Sequence, residues 1–379
     1  MAKRRGINEG SIYRRKDGRW VGVLHVGYAA GRRERKAYYG DTRQEVASVL
    51  AAAVRDRQQG KRPVREVEKV GDYLKRWLND IARPCVRVTT YAGYERIIRL
   101  HIEPEIGDLR LARLTADDLD ALYSWLLEKG LAPATVNRVH ALLHGALKHA
   151  LQRGAVAVNV ASAVKAPRVA RKESSTLLPD EAVRLLDAAG GDRFHALYVL
   201  ALTWGLRQAE LLGLRWRDVD LAGAVLAVRQ QVYRLGGEWV YSEPKTAKGR
   251  RTISLSVMAV DALREQRRRQ AEERLRAGPS WEDNGLIFPN RRGRPMEKQN
   301  LLRRSFGPLL ERAGLPHMRF HDLRHTAATL LLSEGVHPKV VQERLGHSSI
   351  AVTMDVYSHV MPTLQRDAAE RLDRLLAAR

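Results

Sequence analysis

The chain opens with short stretches in which apolar and polar residues alternate, the period that is typical of β-strands. These stretches run from Ser11 to Arg15, from Trp20 to Val26 and from Glu34 to Gly40. Glycine-containing turns separate them, at Lys16-Asp17-Gly18 and at Gly31. The pattern predicts a small sheet of three strands.

After the sheet, the period of the apolar residues changes from two to that of a helix. Thr42 and Glu45 have the spacing of a capping box at its start. The predicted apolar face comprises Val46, Val49, Leu50 and Val54. Polar residues then form a linker from Gln58 to Pro63, so residues 1–62 are expected to be a first domain.

Residues 67–165 show helical periodicity with short connections, which predicts a compact helical bundle. The predicted helices run from Val70 to Ile81, Thr89 to His101, Thr115 to Lys129 and Ala132 to Arg153. A basic linker, Ala166 to Lys172, indicates a boundary near residue 170 and a third domain at 172–379. Strand-like stretches there run from Val225 to Val232, Trp239 to Tyr241 and Arg251 to Leu255. The chain is therefore expected to be mostly α with small β-sheets, an α+β protein.

The charge balance indicates a polyanionic partner. The 66 Lys and Arg against 43 Asp and Glu give a net charge of +23, which favours nucleic acid or an acidic membrane surface. No apolar run approaches the roughly 20 residues that span a bilayer, and the basic N-terminus lacks the apolar stretch of a secretory signal. The lone Cys85, expected to be partly buried, excludes an internal disulfide and fits a reducing cytoplasm.

The charge excess is concentrated at the N-terminus, where residues 1–66 hold 17 Lys and Arg against 7 Asp and Glu. A sheet with a basic, aromatic face suits a groove of DNA, although a solvated basic sheet is the simpler alternative. The residues assigned to that exposed face are Arg14, Arg19, Arg33, Lys36, Tyr13 and Tyr38.

The last sixty residues carry one tyrosine, Tyr357, behind two segments that bear histidine and arginine. The first segment contains His321 and Arg324, and the second contains His347. A tyrosine hydroxyl, with a pKa near ~10, needs cations and proton carriers to attack phosphorus. The ending thus suggests phosphoryl transfer through a phosphotyrosine.

Two further cationic side chains complete the set of candidate catalytic residues. Arg207 follows a glycine in apolar surroundings, so it is either paired with a carboxylate, for which Glu210 is available, or reserved for an anion. Lys245 lies in a turn between two predicted strands. Its ammonium could reach a phosphate and give up a proton.

The order Arg207, Lys245, His321, Arg324, His347, Tyr357 resembles the tyrosine recombinases, the phage integrase family. The strings Gly-Leu-Arg-x-x-Glu, Pro-Lys-Thr, His-Asp-Leu-Arg-His-Thr and Leu-Gly-His-Ser are similar to those of the family, and no catalytic position is substituted. The resemblance implies an arm-type DNA-binding domain at 1–62, a helical core-binding (SAM-like) domain at 67–165 and a catalytic domain at 172–379. The arm-type domain suggests an integrase of a prophage or integrative element.

The resemblance also implies the role of each residue. Tyr357 attacks a DNA phosphate to form a 3′-phosphotyrosyl link, while Arg207 and Arg324 bind the non-bridging oxygens. Lys245 is the acid for the departing 5′-oxygen, His321 the base near the tyrosine, and His347 a hydrogen-bond partner of the phosphate. The implied partners are double-stranded DNA at attachment sites, three further copies in a synaptic tetramer, and an accessory DNA-bending or excision factor. No cofactor or metal is implied, and the expected location is the bacterial cytoplasm, at the nucleoid.

Two other functions stay open at this point. One is a DNA-binding regulator that kept the fold without the chemistry, which the complete set of six residues disfavours. The other is a type IB topoisomerase, which the arm-type and core-binding domains disfavour. His140 and His144, spaced i and i+4, fit zinc but lack a third ligand. His321 and His325 share this spacing without the intervening glutamate of a zinc protease, so His325 is expected to be structural.

The C-terminal residues, Thr363 to Arg379, form one amphipathic helical pattern. Its apolar face comprises Leu364, Ala368, Leu372, Leu375 and Leu376. The helix either closes its own domain or packs on a neighbouring subunit, and the tetramers of the family favour the second.

Overall fold

The structure, a computed structural model, describes residues 11–15, 17–29, 32–58, 68–169, 175–244, 249–346, 349–350, 353–354, 373–374 and 376–377. Three of the candidate site residues, Lys245, His347 and Tyr357, lie outside these ranges, as does the predicted turn at Gly31. The chain divides into two compact units, residues 1–171 and 172–379.

The first unit begins with an antiparallel sheet of strand order β1-β2-β3, followed by helix α1. The bounds are β1 (Ser11–Arg14), β2 (Trp20–Ala29), β3 (Arg32–Gly40) and α1 (Arg43–Gln58). Val46 and Leu50 of α1 are buried, whereas Val49, predicted to share their face, is 44% exposed. The prediction of three strands and one helix is confirmed.

The register of the sheet corrects the predicted exposed face. Tyr13 lies opposite Val21, and Val21 opposite Tyr39, so Tyr13 and Tyr39 share a face. Tyr38 pairs instead with Gly22, where an added Cβ would meet Val46 of α1 at 2.8 Å. Because neighbouring residues of a strand point to opposite faces, Tyr38 lies on the helix side and the assignment of Tyr38 to the exposed face was wrong.

Helices form the rest of the first unit, and most end where glycine or proline interrupts the pattern. Helix α2 (Val70–Arg76) continues through a π-helical turn, Trp77–Ala82, to Arg83–Cys85. Helix α3 (Val88–Ile97) likewise continues through Ile98–Ile102 to Glu103–Ile106, and α4 (Ala116–Glu128) and α5 (Pro133–Gln152) complete the bundle. Thr115 and Asp118 close a capping box at the start of α4. Cys85, at the end of α2, is exposed rather than partly buried.

The histidines of α5 contact protein groups. Nδ1 of His140 lies 3.1 Å from the hydroxyl of Tyr123, and Nε2 of His144 lies 3.3 Å from Oγ of Ser162. Among the described residues there is no group of three or more metal-ligating side chains. None of the described helices has the length and apolarity needed to cross a bilayer.

The second unit is built around helix α7, whose side chains from Ala196 to Leu202 are all buried. Helices α6 (Pro179–Ala188), α7 (His195–Trp204) and α8 (Gln208–Gly213) precede the strands, and α9 (Val257–Ala277) follows them. Helix α10 (Lys298–Leu301) continues through a π-helical turn, Leu302–Phe306, to Gly307–Arg312. Helices α11 (Asp322–Ser333) and α12 (Pro338–Leu345) follow it along the chain.

Among the described residues, the strands of this unit form two small antiparallel sheets. The bounds are β4 (Val219–Asp220), β5 (Val225–Val228), β6 (Gln231–Leu235), β7 (Glu238–Ser242) and β8 (Arg251–Ser254), with strand orders β4-β5-β8 and β6-β7. The single strand predicted from Val225 to Val232 is thus divided, because the chain leaves one sheet at Gln230, whose side chain donates to the carbonyl of Gly213 at 2.9 Å. The α+β class is confirmed.

Candidate active site

Arg207 stands at the start of α8, directly after the turn that ends α7. Gly205 terminates α7 with φ +57, a left-handed conformation that glycine adopts without strain. A Cβ at this position would overlap Leu345 of α12 and meet Cγ of Arg324 at 3.3 Å. The glycine therefore allows α7, α11 and α12 to approach each other at the place where Arg207 begins the next helix.

Two acceptors hold the guanidinium of Arg207. Its Nη1 donates to Oε1 of Glu210 at 2.7 Å and its Nη2 to the carbonyl of Gly346 at 3.2 Å. Glu210 is 1% exposed. Burial alone would raise the pKa of Glu210, but the cations Arg251 and Arg207 outweigh it and hold that pKa below its ordinary value. The predicted pairing of Arg207 with Glu210 is confirmed, and a third of the arginine side chain still faces solvent.

Arg324, in the first turn of α11, is buried with an incomplete set of partners. Its side chain is among the buried charged groups, at 3% exposure, and Nη1 donates to the carbonyl of Gly205 at 2.7 Å. Nη2 has no partner among the described residues. Burial and the neighbouring Arg207 lower the pKa of Arg324 to about 9, which leaves it charged at neutral pH. A buried cation with a free donor is a strong site for an anion.

His321 precedes α11 and lies in the field of both arginines. The residue as a whole is exposed, but partial desolvation lowers the pKa of His321 below the ordinary value, and His325, Arg324 and Arg207 lower it further by repulsion. The rings of His321 and His325 are perpendicular, with centroids 5.1 Å apart. His321 is therefore neutral at pH 7 and free to accept a proton.

A cavity of about 550 Å³ opens beside these residues. Arg207 and His321 both line it, together with an apolar wall that includes Leu302, Phe306 and Leu310. Two residues predicted from separate parts of the sequence thus line one cavity.

The structure brings together three of the six predicted residues, Arg207, His321 and Arg324. Lys245, His347 and Tyr357 lie outside the described ranges. The sequence interpretation missed Arg251, which donates from Nη2 to Oε2 of Glu210 at 3.2 Å. Its signal was present: Arg251 and Ile253 alternate along β8, and Ile253 is 2% exposed, so the period of two turns Arg251 inward as well.

The sequence interpretation also missed Arg344, which holds the end of α12 against the end of α7. Its guanidinium lies 3.5 Å from the centroid of the Trp204 ring, and its Nη2 donates to the carbonyl of Thr203 at 2.9 Å. Gly346 ends α12 with φ +69. Because Arg207 binds the carbonyl of Gly346, the end of α12, just before His347 in the sequence, lies against Arg207.

Known proteins share both parts of this chain. The phage integrase family profile matches residues 175–363, and that of the phage integrase N-terminal SAM-like domain matches residues 69–127. An integrase of Streptomyces ambofaciens is 32% identical over 97% of this chain and 97% of its own length. A tyrosine recombinase XerC-like protein of Caldanaerobacter subterraneus is 30% identical over 91% of this chain and 93% of its own.

Among solved structures, the Tn1549 transposon integrase in complex with transposon right end DNA is similar with a TM-score of 0.68 at 25% identity. The similarity covers 80% of this chain and 99% of that one. The similarity in sequence and in fold extends over most of the chain, and it indicates the same family as the order of the candidate site residues. The chain belongs to the phage integrase family and is a tyrosine-type site-specific recombinase.

Proposed function

We propose that this recombinase cleaves and rejoins double-stranded DNA at attachment sites, and so integrates or excises a mobile element, with Tyr357 as its nucleophile. The observation that carries the proposal is the buried guanidinium of Arg324, whose Nη2 lacks a partner among the described residues. Arg207 lies close enough to repel it. A bound phosphate supplies the negative charge that relieves this repulsion and the acceptor that Nη2 needs.

The proposed cleavage step is an exchange of one ester for another. The Tyr357 oxygen forms a bond to phosphorus as the bond from phosphorus to the 5′-oxygen breaks, leaving a 3′-phosphotyrosyl link. His321 accepts the tyrosine proton, Lys245 gives a proton to the departing 5′-oxygen, which becomes the free 5′-hydroxyl, and His347 donates to a non-bridging oxygen. Because an ester replaces an ester, attack by the 5′-hydroxyl of a second duplex restores the DNA without ATP.

The charges around His321 suit its proposed part in this step. In the free protein the site is rich in cations, and the lowered pKa keeps the imidazole neutral. Binding of a phosphate anion offsets the charges of Arg207 and Arg324, which raises the basicity of His321 when the substrate arrives. The arginines act most strongly as charge accumulates on the phosphate oxygens in the transition state.

The other parts of the chain supply DNA binding and assembly in this proposal. The exposed face of the N-terminal sheet carries Tyr13 and Tyr39, with the guanidinium of Arg15 6.0 Å from the centroid of the Tyr39 ring, and binds DNA as an arm-type domain. The helices of residues 67–165 bind the core site, and residues 172–379 catalyse the reaction. Four copies assemble on paired sites, with an accessory DNA-bending or excision factor, at the nucleoid in the bacterial cytoplasm.

The proposal is tested with a library of nicked duplexes that carry randomised sites. A nick beside the cleavage point releases a short strand and leaves the protein covalently attached to DNA, so that the attached DNA can be sequenced. We expect a denaturant-resistant adduct on one site family and strand exchange between two labelled duplexes bearing that site.

The same experiment separates the alternatives. A DNA-binding regulator shifts the selected duplex in a gel without forming an adduct. A topoisomerase forms the adduct and relaxes supercoiled DNA but exchanges no strands. Either result contradicts the proposal.

A further inference from the structure

Arg251 is a buried arginine that none of the proposed catalytic roles uses. It is the first residue of β8, and only 9% of its side chain is exposed. Burial lowers its pKa and disfavours the charged form. A buried charge of this kind is costly unless its hydrogen bonds repay the cost, so the acceptors around it indicate why it is there.

The three nitrogen atoms of Arg251 bind three separate segments of the second unit. Nη2 donates to Oε2 of Glu210 in α8 at 3.2 Å, and Nε donates to the carbonyl of Arg344 in α12 at 3.0 Å. Nη1 donates to the carbonyl of Gly249 at 3.1 Å, just before β8. One planar group thus fixes the relative positions of a helix start, a helix end and the residue Gly249 just before β8.

Each of these segments leads to proposed catalytic residues. Glu210 holds Arg207 at 2.7 Å. Arg344 lies two residues before Gly346, whose carbonyl accepts from Arg207 and which precedes His347. Gly249 directly follows residues 245–248, which include Lys245 and lie outside the described ranges. Arg251 therefore connects the groups that determine where Arg207 points.

A comparable pair in the same unit shows what a purely local role looks like. Arg215 donates to Asp218 at 2.6 Å, and both side chains are largely buried, at 17% and 4% exposure. Both residues belong to one short segment, and neither contacts Arg207, Glu210 or Gly346 in any hydrogen bond or ion pair of the described residues. Removal of Arg215 costs a buried ion pair without disturbing the candidate site, which makes it a matched control.

We propose that Arg251 is a positioning residue for strand cleavage, which orients Arg207 through Glu210 and holds the end of α12 against it. The proposal rests on the proposed function. Each side-chain nitrogen of Arg251 donates to a protein acceptor and the side chain is only 9% exposed, so we assign its effect to Arg207 rather than to contact with DNA. Its contribution is the geometry of the phosphate site, where a misplacement of about 1 Å costs on the order of 100-fold in rate.

The test uses the full-length protein and a nicked duplex on which the wild type forms an adduct. Arg251→Met is expected to lower the cleavage rate at saturating DNA about 100-fold, with the affinity for the duplex changed by less than about threefold. Arg207→Met is expected to lower the rate further than Arg251→Met does. The double variant is expected to be no slower than Arg207→Met, because Arg251 acts through Arg207 and has nothing to position once Arg207 is removed. Arg215→Met is expected to cleave at the wild-type rate.

Three results would overturn the inference while leaving the proposed function intact. They are wild-type cleavage by Arg251→Met, equal losses in Arg251→Met and Arg215→Met, and rate losses that multiply in the double variant. If Arg251→Met does not fold, Arg251→Lys decides: it keeps the charge but loses the planar fork, so an intermediate rate supports the inference and a wild-type rate refutes it. Absence of a wild-type adduct is a failure of the proposed function and is recognised separately.

Discussion

Arg324 donates from Nη1 to the carbonyl of Gly205 at 2.7 Å, and the glycine has room for no side chain beside it. The contact joins the end of α7 to the first turn of α11, two elements that are more than a hundred residues apart in sequence. Nη2 of Arg324 is left without a hydrogen-bond acceptor among the described residues. In the proposed function, this unpaired donor is in place for a phosphate before DNA binds.

Substitution of Gly205 by alanine should destabilise the protein and slow cleavage. The left-handed conformation costs alanine about 1 kcal/mol, and the overlap with Leu345 adds about 1–3 kcal/mol. Gly236→Ala is the matched control, because Gly236 has φ +58 and nothing within 4 Å of an added Cβ. Chemical denaturation should show the larger loss for Gly205→Ala, and equal losses would argue against the close approach of α7, α11 and α12.

Replacement of Arg324 by methionine should separate stability from activity. Removal of a buried cation that Arg207 and Arg251 repel is expected to raise the free energy of unfolding by about 1 kcal/mol, although the carbonyl of Gly205 loses its donor. Cleavage should fall about 100- to 1,000-fold, the effect of losing one donor to a developing negative charge. Thermal denaturation and adduct formation measure the two effects. A less stable variant that still cleaves would contradict the assignment of Arg324 to the phosphate.

The stability of the protein should decline as the pH falls below about 6.5, in part through His321. The pKa of His321 in the folded chain is lowered to about 4, so between that value and its ordinary 6.5 the unfolded chain binds more protons. Stability from this source is present at neutral pH and is lost as the pH falls through this window. Burial lowers the pKa of His325 as well, so it adds to the slope.

Denaturation of His321→Gln between pH 4 and pH 7 tests this sign, because the variant should show a shallower pH dependence than the wild type. A variant curve that is parallel to the wild type would mean that His321 is equally basic in both states.

Removal of the residues after Met361 should weaken assembly on DNA more than binding by one copy. Most of this segment lies outside the described ranges, and Leu376 within it is 63% exposed. If its apolar face packs on a neighbouring subunit, the truncated protein should shift a single site with unchanged affinity but lose cooperativity on paired sites. A gel-shift titration measures both, and retained cooperativity would show that the helix closes its own domain.

Local sequence signals predicted much of the fold because neighbouring residues decide them. The capping box of Thr115 and Asp118 begins α4 next to its predicted start. In the site, Arg207 and Glu210 are three residues apart, so one helical turn suffices to pair them. Such features need no knowledge of distant parts of the chain.

Features that depend on distant partners were missed or misplaced. Tyr38 and Tyr39 differ by one position, and only the pairing with Gly22 and Val21 shows which of them faces α1. Arg251 was given no role beyond the start of a predicted strand, since its partners Glu210 and Arg344 are 41 and 93 residues away. The period of two along β8 marks it as inward-facing, but only the structure identifies what it binds.

The central claim is tested most directly by identifying the residue that carries the DNA in the trapped adduct. Wild type, Tyr357→Phe and Tyr241→Phe are incubated with the nicked duplex, and the adduct is digested and mapped by mass spectrometry. Tyr241 is 44% exposed in β7 and controls for an adventitious hydroxyl. The account predicts one nucleotide-bearing peptide containing Tyr357, formed by wild type and Tyr241→Phe and absent from Tyr357→Phe. An adduct on another residue, or one that survives in Tyr357→Phe, would contradict it.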